Sequence, residues 1–193
     1  YRKSIRTPRF LIKCCQPLLT HSRRPTLTII LGIDPGSGIT GYGVIAVERH
    51  RVTHIDDGCI RLGSGAFDER LVHLFDELSA VIARHQPQEA AIEKVFMNRN
   101  ADSALKLGHA RGVGMVCASK AGLGVSEYAA TLIKQTVVGR GHADKAQVQH
   151  MVKVLLELDY TPPTDAADAL ATAICHAHMR DGIARLAFAG ARA

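Results

Sequence analysis

The chain has 193 residues, 47% of them hydrophobic and 22% charged, which is room for one packed domain and excludes both a disordered chain and a two-domain enzyme with an interdomain cleft. The net charge of +6 is unevenly placed: residues 1–26 carry Arg2, Lys3, Arg6, Arg9, Lys13, Arg23 and Arg24 and no acid, leaving 17 Lys and Arg against 18 Asp and Glu in the rest. The basic balance therefore gives no argument that the body itself binds nucleic acid.

That first segment is acid-free like a transit peptide and begins with Tyr1 rather than Met. It is read as a basic tail, disordered or non-native, and is set apart from a domain expected over residues 27–180. Cys14, Cys15, Cys59, Cys117 and Cys175 have no zinc-site spacing and read as reduced thiols, which suits the cytoplasm. The longest apolar stretches are a few residues long, so no membrane span is expected.

In chain order, TLTIILGID is an apolar, β-branched run stopped by Asp34-Pro35-Gly36, which predicts a buried strand and a turn. TGYGVIAVE and RVTHIDDGCIRL follow after short gaps, completing a three-strand meander. From Asp68, the spacing of Leu71, Leu74, Phe75, Leu78, Val81 and Ile82 predicts a helix that ends before Pro87. AAIE at 90–93 predicts a fourth strand. A helix over 101–120, a strand at 124–126 and a helix from Tyr128 to Val137 come next. Val148, Met151, Val152, Leu155 and Leu156 then mark the stripe of an amphipathic helix. Pro162-Pro163-Thr164 opens the last helix, with Thr164 as a candidate cap and Ala167, Leu170, Ala171, Ile174 and Ala177 on its apolar side. Beyond about Asp181 a loose C-terminal tail, 181–193, is expected. This order predicts an α/β fold with a mixed sheet.

Two acids close apolar runs: Asp34 ends TIILGID and Glu93 ends AAIE. Parallel strands would bring both to the sheet edge where open α/β sheets bind ligands. Either alone is more often a surface acid at a strand end. Asp165 and Asp168 lie three apart on one face of the last helix, where first-turn acids also serve as helix-dipole partners. Taken together, four carboxylates repel one another unless cations join them. Mg²⁺ takes a few carboxylates plus water and phosphate oxygens, and two such ions can assist phosphodiester hydrolysis, with Mn²⁺ as a substitute. No P-loop is present, so a hydrolytic nuclease follows more naturally than a kinase.

The segments LGIDPGSGITGYGVI, AIEKVFMNRNADSALKLGHARG, EYAATLIKQTVVGRG, DKAQVQHMV and DAADALATAI, in this order between residue 31 and about 178, resemble the consecutive motifs of the RuvC family of Holliday-junction resolvases. The resemblance implies a ribonuclease-H-like fold, a five-stranded mixed sheet flanked by helices on both faces. It implies a homodimeric, Mg²⁺-dependent endonuclease that binds four-way DNA junctions and nicks two strands of like polarity. It also implies work alongside the branch-migration proteins RuvA and RuvB. Residue by residue, it makes Asp34, Glu93, Asp165 and Asp168 the catalytic and metal-binding tetrad. Some family members have His where Asp165 stands. Lys134 and Lys145 match basic positions that hold phosphates. Phe96 matches an aromatic that stacks on DNA, a reading its polar neighbours Asn98, Arg99 and Asn100 also favour over a core plug.

Two other functions remain open on the residues alone. DPGSG also suits an ATP-binding or non-catalytic scaffold of the same fold, and the carboxylates suit a nuclease of RNA:DNA hybrids. Ala104, Gly108 and Gly112, four apart on the second long helix, form a smooth ridge for another helix, either within the chain or from a second copy.

Overall fold

A computed structural model describes residues 27–95 and 101–190, the last ten of these by backbone only. The elements are β1 (Thr28–Asp34), β2 (Ile39–Glu48), β3 (Arg51–Arg61), α1 (Phe67–His85), β4 (Glu89–Lys94), α2 (Ala101–Lys120), β5 (Gly124–Ala129), α3 (Ala130–Val138), α4 (Lys145–Leu155) and α5 (Thr164–Gly190). They form one five-stranded sheet in the order β3-β2-β1-β4-β5. The meander pairs antiparallel, and β4 and β5 then add in parallel to β1. The mixed sheet expected from the sequence is therefore present.

Both faces of the sheet are covered, because successive strand residues point to opposite sides. Ile30 and Ile45 join Val148, Val152, Leu170 and Ile174 in the core under α3, α4 and α5. Leu31, Ile33, Val44 and Ile92 join Leu74, Leu78 and Cys117 in the core under α1 and α2. No helix among the described residues is long and apolar enough to cross a membrane.

The centre of the fold is α5. From Ala166 to Ala177 every residue except Asp168 is buried, where the sequence pattern predicts a one-sided stripe. The sheet covers one side of this helix and α3 and α4 the other, so an all-round apolar surface is what its position requires. Its close approach rests on three glycines. Gly32 and Gly43 are cross-strand partners, and Gly41 lies two residues from Gly43 on the same face. A Cβ at Gly32 would stand 2.1 Å from the Ala169 carbonyl oxygen, and one at Gly41 1.9 Å from that of Asp165. The helix lies in this lane with its backbone against the sheet.

The boundaries differ from the sequence expectation in four places. β5 continues to Ala129, past the Tyr128 where a helix was expected, because Glu93 and Lys94 of β4 pair with Tyr128 and Ala129. Thr164 lies inside α5, and the Pro163 carbonyl accepts the first-turn bond from Ala167 N–H at 2.8 Å. Leu155 is 40% exposed, because α4 ends there and leaves it off the buried stripe. The α5 backbone remains helical to Gly190, beyond the expected end near 181. Residues 1–26, and with them the basic-tail expectation, lie outside the described residues.

Candidate metal and nuclease site

Asp34 is the last residue of β1 and Glu93 the fifth of β4, and the two strands run parallel side by side. The carboxylates thus reach the same edge of the sheet. The glycine lane sets the start of α5 over this edge, which brings Asp168 in. Asp34, Glu93 and Asp168 line one cavity of about 170 Å³ with Lys134 of α3, Lys145 of α4 and the apolar side chains of Ala130, Ile133 and Val148. Two larger clefts, about 470 and 480 Å³, hold no comparable set: their linings contain no carboxylate and Glu77 alone.

The electrostatics show how closely the acids are coupled. Burial foremost, and then the charges of Glu93, Asp168 and Asp165, push the Asp34 carboxyl up to about 8, with Lys145 opposing them. Glu93 is raised by burial and then by Asp168, against Lys134 and Lys145. Asp168 is raised by burial, against the pull of Lys145. Burial alone would lower Lys145, but the neighbouring carboxylates, Asp168 foremost, outweigh it and raise the ammonium. Asp165 acts on this cluster through its charge but does not line the cavity; its carbonyl lies over Gly41.

Lys145 Nζ stands 3.2 Å from Asp168 Oδ2. Its backbone is set by a capping box in which the Asp144 side chain accepts from Gln147 N–H and Gln147 Oε1 accepts from Asp144 N–H. The spacing D-x-x-Q was the legible signal for this helix start, and the sequence reading passed over it. As the side chains stand, no three Asp, Glu, His or Cys groups among the described residues are gathered tightly enough to share one ion. Uncompensated carboxylates spread apart, and here the Lys145 ammonium provides the positive charge. The donors are nevertheless all hard oxygens, too rich in negative charge for their burial, which is the chemistry that suits a divalent cation such as Mg²⁺. Phe96 lies outside the described residues.

Comparison with known proteins shows which family the chain resembles. The profile of the family described as "Crossover junction endodeoxyribonuclease RuvC" matches residues 30–176. The curated relative of that name from Marinobacter nauticus is 54% identical over 166 residues, 86% of this chain and 95% of the relative. That from Aeromonas salmonicida is 56% identical over 161 residues, 83% and 93% of the two chains. Among solved structures, T. thermophilus RuvC in complex with Holliday junction substrate aligns with a TM-score of 0.74 at 34% identity, covering 80% of this chain and 96% of that one. The yeast mitochondrial Holliday junction resolvase Ydc2 shares the fold, with a TM-score of 0.53 at 11% identity.

Proposed function

Because this chain belongs to the RuvC family of crossover junction endodeoxyribonucleases, its reaction is the resolution of Holliday junctions, and we propose that Mg²⁺-assisted hydrolysis at the Asp34–Glu93–Asp168 cavity performs it. The observation that carries this reading is the convergence of three partly buried, mutually repelling carboxylates and two lysines on one cavity. When bound, Mg²⁺ activates a water and neutralises charge on the leaving oxygen. Asp34, Glu93 and Asp168 would hold the ions, with Mn²⁺ an acceptable substitute. Asp165 adds negative charge one turn away and would be a further ligand to the ions. Lys134 and Lys145 hold oxygens of the scissile or adjacent phosphate, for which Lys145 leaves Asp168. Ile133 and Val148 form an apolar floor that limits water entry. Equilibrium Mn²⁺ binding tests the assignment: wild type should bind, Glu93→Gln should bind at least about tenfold more weakly, and EDTA should stop cleavage. Equal Mn²⁺ binding by the two proteins would remove Glu93 from the site.

Paired nicks need two such centres facing one junction, and we assign the dimer contact to α2. Gly108 and Gly112 have open space where a Cβ would stand, so no described residue of the chain packs on their smooth ridge. Leu105 (63% exposed) and Val116 (57% exposed) lie on the same stripe. Gly108→Leu places a side chain on both sides of a twofold contact. At about 1–3 kcal/mol of overpacking each, the dimer dissociation constant should rise by about 10²-fold or more. A Gly108→Leu protein that sediments as a dimer at the wild-type concentration places the interface elsewhere.

Phe96 follows Glu93 by three residues and is assigned to stacking on a base at the junction. Loss of one stacked base, about 1–3 kcal/mol, predicts a fall of roughly 10- to 100-fold in Phe96→Ala cleavage with Tm unchanged and much of the rate retained in Phe96→Trp. A lowered Tm with normal cutting per folded molecule is the contrary result. The bacterial relatives and the free thiols of Cys59, Cys117 and Cys175 favour action in the cytoplasm, together with RuvA and RuvB.

A further inference from the structure

The loop 35–38 that follows Asp34 is fastened from three sides. Thr40, 1% exposed, accepts from Gly36 N–H through its hydroxyl at 3.3 Å and donates the same hydroxyl to the Gly36 carbonyl at 3.2 Å. Leu62 N–H donates to the Gly38 carbonyl at 2.9 Å. The third tie is made by a side chain from another layer: Arg70, in the first turn of α1, donates its Nη2 to the Ser37 carbonyl. Its guanidinium carbon sits 5.6 Å from the centre of the Phe67 ring, and that ring meets His109 of α2 edge-on at 5.7 Å. The Arg70 Nε is buried and has no hydrogen-bond partner among the described residues.

These contacts make an expensive arrangement for a loop that needs only to turn the chain. A buried guanidinium donor left unpaired costs free energy, and a stability role alone would be served by an apolar side chain over Phe67. The cost is understandable at this position. Asp34 is repelled by Glu93, Asp168 and Asp165, and it is the last residue of β1 to pair in the ladder, opposite Gly41, so the loop that begins beside it bears on where its carboxylate stands.

We propose that Arg70 is a positioning residue for strand cleavage: by clamping the Ser37 carbonyl to α1, it fixes the loop that holds the Asp34 carboxylate in the cleavage centre. Arg70 touches neither the DNA nor the reacting atoms. The inference rests on the assignment of Asp34 to that centre, since a misplacement of about 1 Å there costs on the order of 10²-fold in rate.

The test measures single-turnover cleavage, junction affinity against salt, and Tm for the full-length wild type, Arg70→Ala, Arg70→Lys and Asp34→Asn. Arg70→Ala should cut 10- to 100-fold more slowly once the junction is bound, with wild-type affinity and an unchanged salt slope. Its Tm should move little, because an unpaired buried donor leaves with the side chain. Arg70→Lys, which keeps a donor for Ser37, should recover part of the rate. Wild-type cutting by Arg70→Ala beside an inactive Asp34→Asn overturns the role of Arg70 alone. A lower affinity with a salt slope reduced by about one identifies a phosphate contact instead and overturns it too. A fall in Tm with a normal rate per folded molecule makes Arg70 a plain stability residue. Normal cutting by Asp34→Asn removes the cleavage-centre assignment, and the inference with it.

Discussion

Asp34→Asn is expected to lower junction cleavage by about 10³-fold and, in the absence of metal, to make the protein more stable than the wild type. The first effect follows from losing charge that organises the cations, worth several kcal/mol in the transition state at about 1.4 kcal/mol per decade. The second follows from the sign of the Asp34 shift. Its carboxyl titrates near 8 in the folded protein against an ordinary 3.8, so the folded state keeps the proton longer than the unfolded state. The corresponding stability is fully present below pH 3.8 and is lost as pH rises towards 8. An amide carries no such loss. The gap in Tm should therefore be widest at pH 8 and above and should close as pH falls towards 4. The whole shift would be worth on the order of 5 kcal/mol. Relaxation and water in an open cavity reduce this, and about 1–3 kcal/mol is expected. Mg²⁺ should raise the Tm of the wild type and leave that of Asp34→Asn nearly unmoved. Thermal melts with EDTA and with Mg²⁺ across this pH range check each part; a variant less stable than the wild type at pH 8 would falsify the electrostatic account of the cluster.

Gly41→Ala is expected to damage both fold and activity through one methyl group. Its Cβ would stand 1.9 Å from the Asp165 oxygen and 2.4 Å from the Asp165 carbonyl carbon, and both are backbone atoms that no rotamer can move. The start of α5 must lift, taking Asp165 and Asp168 with it. Overpacking against a rigid neighbour costs about 3 kcal/mol or more, which in a domain of this size is a Tm drop of roughly 6–12 °C. Cleavage should fall by at least about 10²-fold. Gly124→Ala, where a Cβ would meet nothing within 4 Å, is the matched control and should melt within a degree or two of the wild type. Equal melting temperatures for the two variants would mean that α5 does not need the glycine lane.

These two residues mark the limits of what the sequence discloses. Asp34 and Glu93 were legible because strand ends are punctuated: an apolar run, an acid, and for Asp34 a Pro-Gly turn. Asp168 was legible as a candidate because a three-residue spacing fixes a helix face whatever the helix packs on. The glycine lane was not read, since its meaning depends on a pairing: Gly32 faces Gly43 only in the β1–β2 register. The i, i+2 pair Gly41 and Gly43, opposite a helix rich in alanine, was the available signal. The end of β5 escaped for a similar reason, because ladder pairing with Glu93 and Lys94 overrides the helical pattern at Tyr128. Arg70 gave no sign at all, as an arginine in the first turn of an amphipathic helix ordinarily faces solvent, and only the tertiary contact with Ser37 distinguishes it.

Mapping the nicks made by the full-length protein on a mobile four-way junction, with Mg²⁺ and with EDTA, tests the central claim most directly. The account predicts paired nicks with Mg²⁺, placed symmetrically in two strands of like polarity, sealed afterwards by ligase, absent with EDTA and absent for Asp34→Asn. Cleavage that persists in EDTA, or nicks that Asp34→Asn still makes at the wild-type rate, would contradict it.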